Sequence, residues 1–259
     1  LQVRNAVCVC ARAHRARRTH GMPLLSLYEE RSLLTNVSHQ AAAIAATPSA
    51  CVPDSSILIT MVNEYHRPMR LLQWQRVRSL GCLLSRSLTV CAGFHDHAFG
   101  RCVSTVAVPA SDFGRGSYMD VIWFKWKLLD AALASVQHAL WLDGDTVLLG
   151  NPFDGLPRSP AYPLLFQSER LCKSCRCPLN SGQLFASNRS LIQAVIAARR
   201  GKSGGVDQQV AAKVLRARRW RNHTCSLGQR YVGFCWYWRG WGRTKAPPNE
   251  TARQATLCA

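Results

Sequence analysis

The run Ile57-Leu58-Ile59-Thr60-Met61-Val62 limits the fold of this chain more than any other segment. A near-continuous, β-branched apolar stretch of strand length has no polar face to turn to water, so both faces must be covered. That is the condition of a central strand in a parallel sheet flanked by helices. Asn63-Glu64 ends the run, and Arg67-Pro68 opens a helix with proline near its first turn. Met69, Leu72, Val77 and Leu80 fall on one face of that helix, and Gly81 closes it.

The alternation repeats along the chain. Residues 88–94 and 104–108 predict two further strands, the second stopped by Pro109. A glycine-containing loop over 111–117 leads into a helix carried by Ile122, Trp126, Leu129, Leu133 and Val136. Residues 138–149 predict an apolar strand interrupted by Asp143-Gly144-Asp145 and terminated by Asn151-Pro152-Phe153. Strands at 162–167 and 183–186 follow, then helices marked by Leu191, Ile192, Val195 and Ile196 and by Val210, Val214 and Leu215. Strands alternating with helices imply an α/β fold with a mostly parallel sheet. One domain over residues 56–259 is the economical reading, preceded by an irregular basic leader or stem over 1–55 in which no apolar periodicity persists.

Composition narrows the function classes. In 259 residues, 47% are hydrophobic and 18% charged, which is a globular balance and excludes a fibrous or disordered chain. No apolar run approaches the length of a membrane span, which excludes a helical channel. The net charge of +19 favours polyanions, acidic glycans, anionic membranes or phosphorylated small molecules as partners. It is concentrated at Arg4, Arg12, Arg15, Arg17 and Arg18 and again at Lys213, Arg216, Arg218, Arg219 and Arg221. Twelve cysteines and four sequons, at Asn36, Asn188, Asn222 and Asn249, point to an oxidising lumenal or extracellular compartment. Their pairing cannot be read from the sequence. The chain begins at Leu1, so any targeting or anchor segment is expected upstream.

Trp141-Leu142-Asp143-Gly144-Asp145-Thr146-Val147 is where chemistry is expected. Two carboxylates inside an apolar strand are costly to bury unless paired or bound to metal. Their mutual repulsion is relieved by a divalent cation. Residues two apart emerge on the same side of a strand, and Gly144 lets a ligand approach the backbone. Hard oxygen ligands suit Mg²⁺ or Mn²⁺, which also bind phosphates, and ligands of open α/β sheets lie beyond the carboxyl ends of strands.

The stretch Asp143-Gly144-Asp145-Thr146-Val147-Leu148-Leu149-Gly150-Asn151-Pro152-Phe153 resembles the Asp-x-Asp region of nucleotide-diphospho-sugar transferases, retaining glycosyltransferases of the GT-A fold known from plant and algal cell-wall synthesis. Further elements are similar to that family in the same order: Ile59-Thr60-Met61-Val62-Asn63-Glu64, Trp123-Phe124-Lys125-Trp126-Lys127-Leu128-Leu129, Leu179-Asn180-Ser181-Gly182-Gln183 and Asp207-Gln208-Gln209. The resemblance implies a GT-A, Rossmann-like fold and the following roles. Asp145 would coordinate Mn²⁺ or Mg²⁺ on the diphosphate, with Asp143 reaching the metal or the ribose. Thr60, Asn63 and Glu64 would line the nucleotide pocket, and Lys125 would meet the donor's phosphate or sugar. Asn180, Ser181 and Gly182 would shape the sugar and acceptor side. Asp207 would hold donor hydroxyls, and Gln208 would lie near the anomeric carbon.

Each of these has a plainer reading from its own residues. Asn180-Ser181-Gly182 reads equally as a turn, Asp207 as a helix-start charge, and Lys125 as a snorkelling lysine. The family usually supplies a late His as a third metal ligand, whereas the last His here is His223, within a sequon. A chain truncated at its C-terminus, or one that holds metal more weakly, is therefore expected. Cys172, Cys175 and Cys177 read as disulfide partners, His95-Asp96-His97 as a loop, and Trp236-Tyr237-Trp238 as core packing or a platform for sugar rings.

The expected function is transfer of a hexose or pentose from a nucleotide-diphosphate sugar, a uridine one above all, to a polysaccharide or glycoprotein in the Golgi lumen. No nucleic-acid partner is expected, and membrane attachment would come through an anchor outside this chain. The alternatives are a non-catalytic basic glycan binder and a truncated, inactive transferase.

Overall fold

The run at Ile57 is the centre of the sheet. A computed structural model describes residues 27–63, 74–75, 77–92, 101–105, 118–144, 146, 148, 150–154, 156, 164–168, 179–199, 207–217 and 224–226. Its strands are β1 (Ser56–Asn63), β2 (Ser87–Ala92), β3 (Cys102–Thr105), β4 (His138–Leu142), β5 (Leu164–Ser168), β6 (Leu179–Ala186) and β7 (Thr224–Ser226). The helices are α1 (Leu27–Ala45), α2 (Tyr118–Ala132), α3 (Arg189–Arg199) and α4 (Asp207–Arg216). One seven-stranded sheet runs in the order β3-β2-β1-β4-β6-β5-β7. β3, β2, β1 and β4 are mutually parallel, β6 is antiparallel to both of its neighbours, and β7 is parallel to β5. The α/β class and the mostly parallel sheet are as expected from the sequence.

Alternation along β1 divides the core in two. Ile57 and Ile59 join Leu88, Val90 and Trp141 beneath α1, α2, α3 and α4. Leu58 and Val62 join Leu140 and Leu142 beneath Trp74, Val77, Leu83, Leu148, Phe153 and Leu156. Helical residues at 74–75 and 77–79 end at Gly81, whose φ of +58° fits the expected glycine stop. Met69 and Leu72 lie outside the described residues.

Four expectations need correction. Residues 27–45 are not an irregular leader but a helix, whose Leu33, Val37, Ala41 and Ile44 are buried in the same core as α2. Lys127 donates to Glu30 at 2.6 Å and Ser38 meets Ser135 at 2.6 Å, fixing α1 along α2 and the turn that follows. The strand expected over 138–149 stops at Leu142, where a 3.0 Å bond from the Thr146 amide to the Asp143 carbonyl closes a turn. β3 starts at Cys102, two residues before the expected strand at 104, and the expected stop at Pro109 lies outside the described residues. β6 starts at Leu179, so Asn180-Ser181-Gly182 is extended chain rather than a turn. Among the described residues two disulfides, Cys51–Cys82 and Cys91–Cys102, join the chain before β1 to that before β2, and β2 to β3.

Candidate active site

The carboxyl end of β4 and an irregularity in β6 together make the site. β6 pairs with β4 through Leu142↔Gln183, and the Asp143 amide extends that ladder to the Gly182 carbonyl at 2.8 Å. On its other side β6 pairs Leu184 with Phe166 and then Asn180 with Gln167. One step along β5 thus spans four along β6, leaving Ser181, Gly182 and Gln183 as a bulge. Bulges re-aim side chains, and this one directs Ser181 at Lys125. The Asn180 side chain supports it by accepting the Gly182 amide at 2.8 Å.

Lys125 reaches the bulge from α2, one turn from the buried face that Ile122, Trp126 and Leu129 anchor. Its Nζ donates to the Ser181 hydroxyl at 3.0 Å, to the Ser181 carbonyl at 3.1 Å and to Asp143 Oδ1 at 3.3 Å. Asp207 Oδ2 lies 3.7 Å away. The three charges differ sharply in exposure: the side chains of Lys125 and Asp207 are 5% and 2% exposed, and that of Asp143 is 38% exposed. A buried cation therefore stands between a buried anion and one that meets solvent.

Two indoles complete the cluster. Trp141 Nε1 donates to Asp143 Oδ1 at 2.7 Å, and Trp126 Nε1 donates to Asp207 Oδ2 at 3.0 Å. Sequence reasoning gives neither indole N–H a partner. The signal was there: a buried indole needs an acceptor for its N–H, and Trp141 and Asp143, two apart, share a strand face. Gly182 is also constrained by space, since a Cβ there would lie 3.0 Å from Asn180 Oδ1 and 3.1 Å from Asp143 Oδ2.

The structure therefore gathers Lys125, Asp143, Asn180, Ser181, Gly182 and Asp207. Gln208 follows Asp207 at the start of α4 and is partly buried. Thr60 is elsewhere: two residues from both Leu58 and Val62, it shares their face of β1 and so faces the opposite layer of the sheet from Trp141. Its hydroxyl is buried and has no hydrogen-bond partner among the described residues. Asn63 is buried at the end of β1. Glu64, Asp145, Cys172, Cys175, Cys177, His95, Trp236 and His223 lie outside the described residues. Lys125 and Asp207, expected to meet the donor directly, both turn their charges inward here.

Among the described residues no three His, Cys, Asp or Glu side chains gather as a metal site. Asp143 nevertheless has the chemistry that Mg²⁺ or Mn²⁺ requires, a carboxylate oxygen donor partly open to solvent at a strand end. With Asp145 it would hold such an ion.

No protein-family model matches the sequence, and no curated protein matches it. Among solved structures, the glycosyltransferase GlyE of Streptococcus pneumoniae superposes with a TM-score of 0.43 at 13% identity, over 68% of this chain and 45% of that one. Glucosyl-3-phosphoglycerate synthase of Mycobacterium tuberculosis superposes with a TM-score of 0.40 at 16% identity, over 74% of each chain. A mannosyltransferase of Pyrobaculum calidifontis, solved with GDP-Man and Mn²⁺, gives 0.39 at 12% identity over 77% of this chain and 63% of that one. The chain spans less than half the length of GlyE. Superpositions this loose leave the chemistry to be drawn from the residues themselves.

Proposed function

We propose that the chain is a metal-dependent glycosyltransferase of GT-A type, moving a hexose or pentose from a uridine-diphosphate sugar to a polysaccharide or glycoprotein acceptor with retention. One observation carries the reading: the buried Lys125 ammonium links solvent-facing Asp143 to the β6 bulge and Asp207 at the carboxyl end of a parallel strand. That end of an open α/β sheet is where phosphorylated ligands bind. Departure of a nucleoside diphosphate builds negative charge, and a divalent ion held by Asp143 and Asp145 would neutralise it. Asp143 would orient that charge, while Asn180, Ser181 and Gly182 shape the wall beside it. Gln208, at the start of α4, would stand near the anomeric carbon, and Asn63 and Glu64 near the nucleotide. A Golgi or other secretory setting is part of the proposal, supported by twelve cysteines, two disulfides and four sequons.

The test is thermal stabilisation by UDP, with and without Mn²⁺, in the wild type and in Asp145→Ala. A Mn²⁺-dependent rise in Tm that the variant loses is the expected result. No rise in the folded wild type would remove the donor site.

A further inference from the structure

We infer that Lys125 is a positioning residue whose buried charge sets Asp143, and that Asp207 acts on the site only through it. The inference rests on the donor site proposed above and departs from the expectation that both residues touch the donor.

An ammonium has three N–H donors. Among the described residues, the oxygens of the Ser181 hydroxyl and carbonyl, Asp143 Oδ1 and Asp207 Oδ2 stand within 3.7 Å of Lys125 Nζ. All its hydrogen-bonding capacity is thus turned to the protein, and its side chain is only 5% exposed. Reaching a phosphate would mean leaving Asp207 buried with its charge uncompensated by a cation. Asp207 is tied in turn by the Trp126 indole, so its carboxylate cannot swing outward without orphaning that N–H.

What the arrangement can do is transmit position. Asp143 is gripped from three directions: the Trp141 indole and Lys125 both hold Oδ1, and its amide is bonded to the Gly182 carbonyl. Lys125 also bonds the carbonyl and hydroxyl of Ser181, the neighbour of Gly182. A single cation therefore sets the spacing between the acid and the bulge that faces it. Asp207 fixes where the cation sits. The acid's place is set in part by Lys125 and Asp207, whose charges face the protein.

The experiment is a double-mutant cycle read by calorimetric titration of UDP with Mn²⁺ present. The variants are Lys125→Met, Asp143→Asn and both together, with Lys125→Met/Asp207→Asn as a variant that leaves no unpaired buried charge if Lys125→Met alone fails to fold. If Lys125 acts through Asp143, each single change weakens UDP binding. The double change is then no weaker than the weaker single, a shortfall from additivity of about tenfold or more, within the range for contacting charges. Losses that multiply would make Lys125 an independent donor contact and overturn the inference. So would wild-type affinity in a well-folded Lys125→Met/Asp207→Asn, which would make the pair an element of folding alone. Absence of UDP binding by the wild type is a separate outcome, and it removes the donor site and the inference together.

Discussion

At the scale of single residues, the site depends on space as much as on charge. Gly182 packs where a methyl group would press on both Asp143 Oδ2 and Asn180 Oδ1. Gly182→Ala should therefore weaken Mn²⁺–UDP binding while lowering Tm by only a few degrees; a loss of Tm as large as that of a core truncation would place the strain in the fold instead. His138 gives a separate, pH-dependent prediction. Its ring meets Phe185 edge-on at 5.5 Å, and its buried Nδ1 has no hydrogen-bond partner among the described residues. Burial disfavours the imidazolium and holds its pKa below the ordinary 6.5. Below pH 6.5 the unfolded chain takes up the proton more readily, so stability falls as pH drops through the folded pKa. In His138→Phe that fall should be shallower, as urea melts across this range would show. The charged members of the cluster were legible in the sequence because chemistry restricts them to few residue types. Trp126 and Trp141 were not, because an indole's apolar area dominates its pattern and hides its one donor.

At the scale of elements, periodicity identified what is strongly two-faced and missed what is not. β1, β2, β4, α2, α3 and α4 carry runs of large apolar residues at strand or helix spacing. α1 does not announce itself, since its buried stripe of Leu33, Val37, Ala41 and Ile44 is diluted by the exposed Ala42 and Ala43. Val37 is fully buried, so Val37→Asp should cost roughly 3–5 kcal/mol in a denaturant titration, the scale of an uncompensated buried charge. A cost under about 1 kcal/mol, typical of surface positions, would detach α1 from the core. The start of β6 was missed for a different reason. Asn180, Ser181 and Gly182 favour turns locally, and it is the pairing of Asn180 with Gln167 of β5 and the bond from the Asp143 amide to the Gly182 carbonyl that draw them into extended chain.

At the scale of the whole molecule, the sequence indicated the parallel half of the sheet but not its order. Nothing in the local pattern of β6 says that it inserts between β4 and β5 with reversed direction. The net charge of +19 acts at this scale too, as a long-range attraction that salt screens. Heparin retention should fall steeply with salt and be the same in the wild type and Asp145→Ala, while Mn²⁺-dependent UDP binding separates them. Retention that changes with Asp145 would mean that polyanion and nucleotide share one surface. The bulge at Ser181-Gly182-Gln183 has a mechanical meaning as well. Along β4 the ladder is continuous to Gly182, but towards β5 it skips three residues, so the sheet has a slack seam beside the charge cluster. A shove on the outer edge formed by β5 and β7 is taken up there as curvature before it reaches Lys125. The edge can flex or accept substitutions while the distances between Lys125, Asp143 and Asp207 hold.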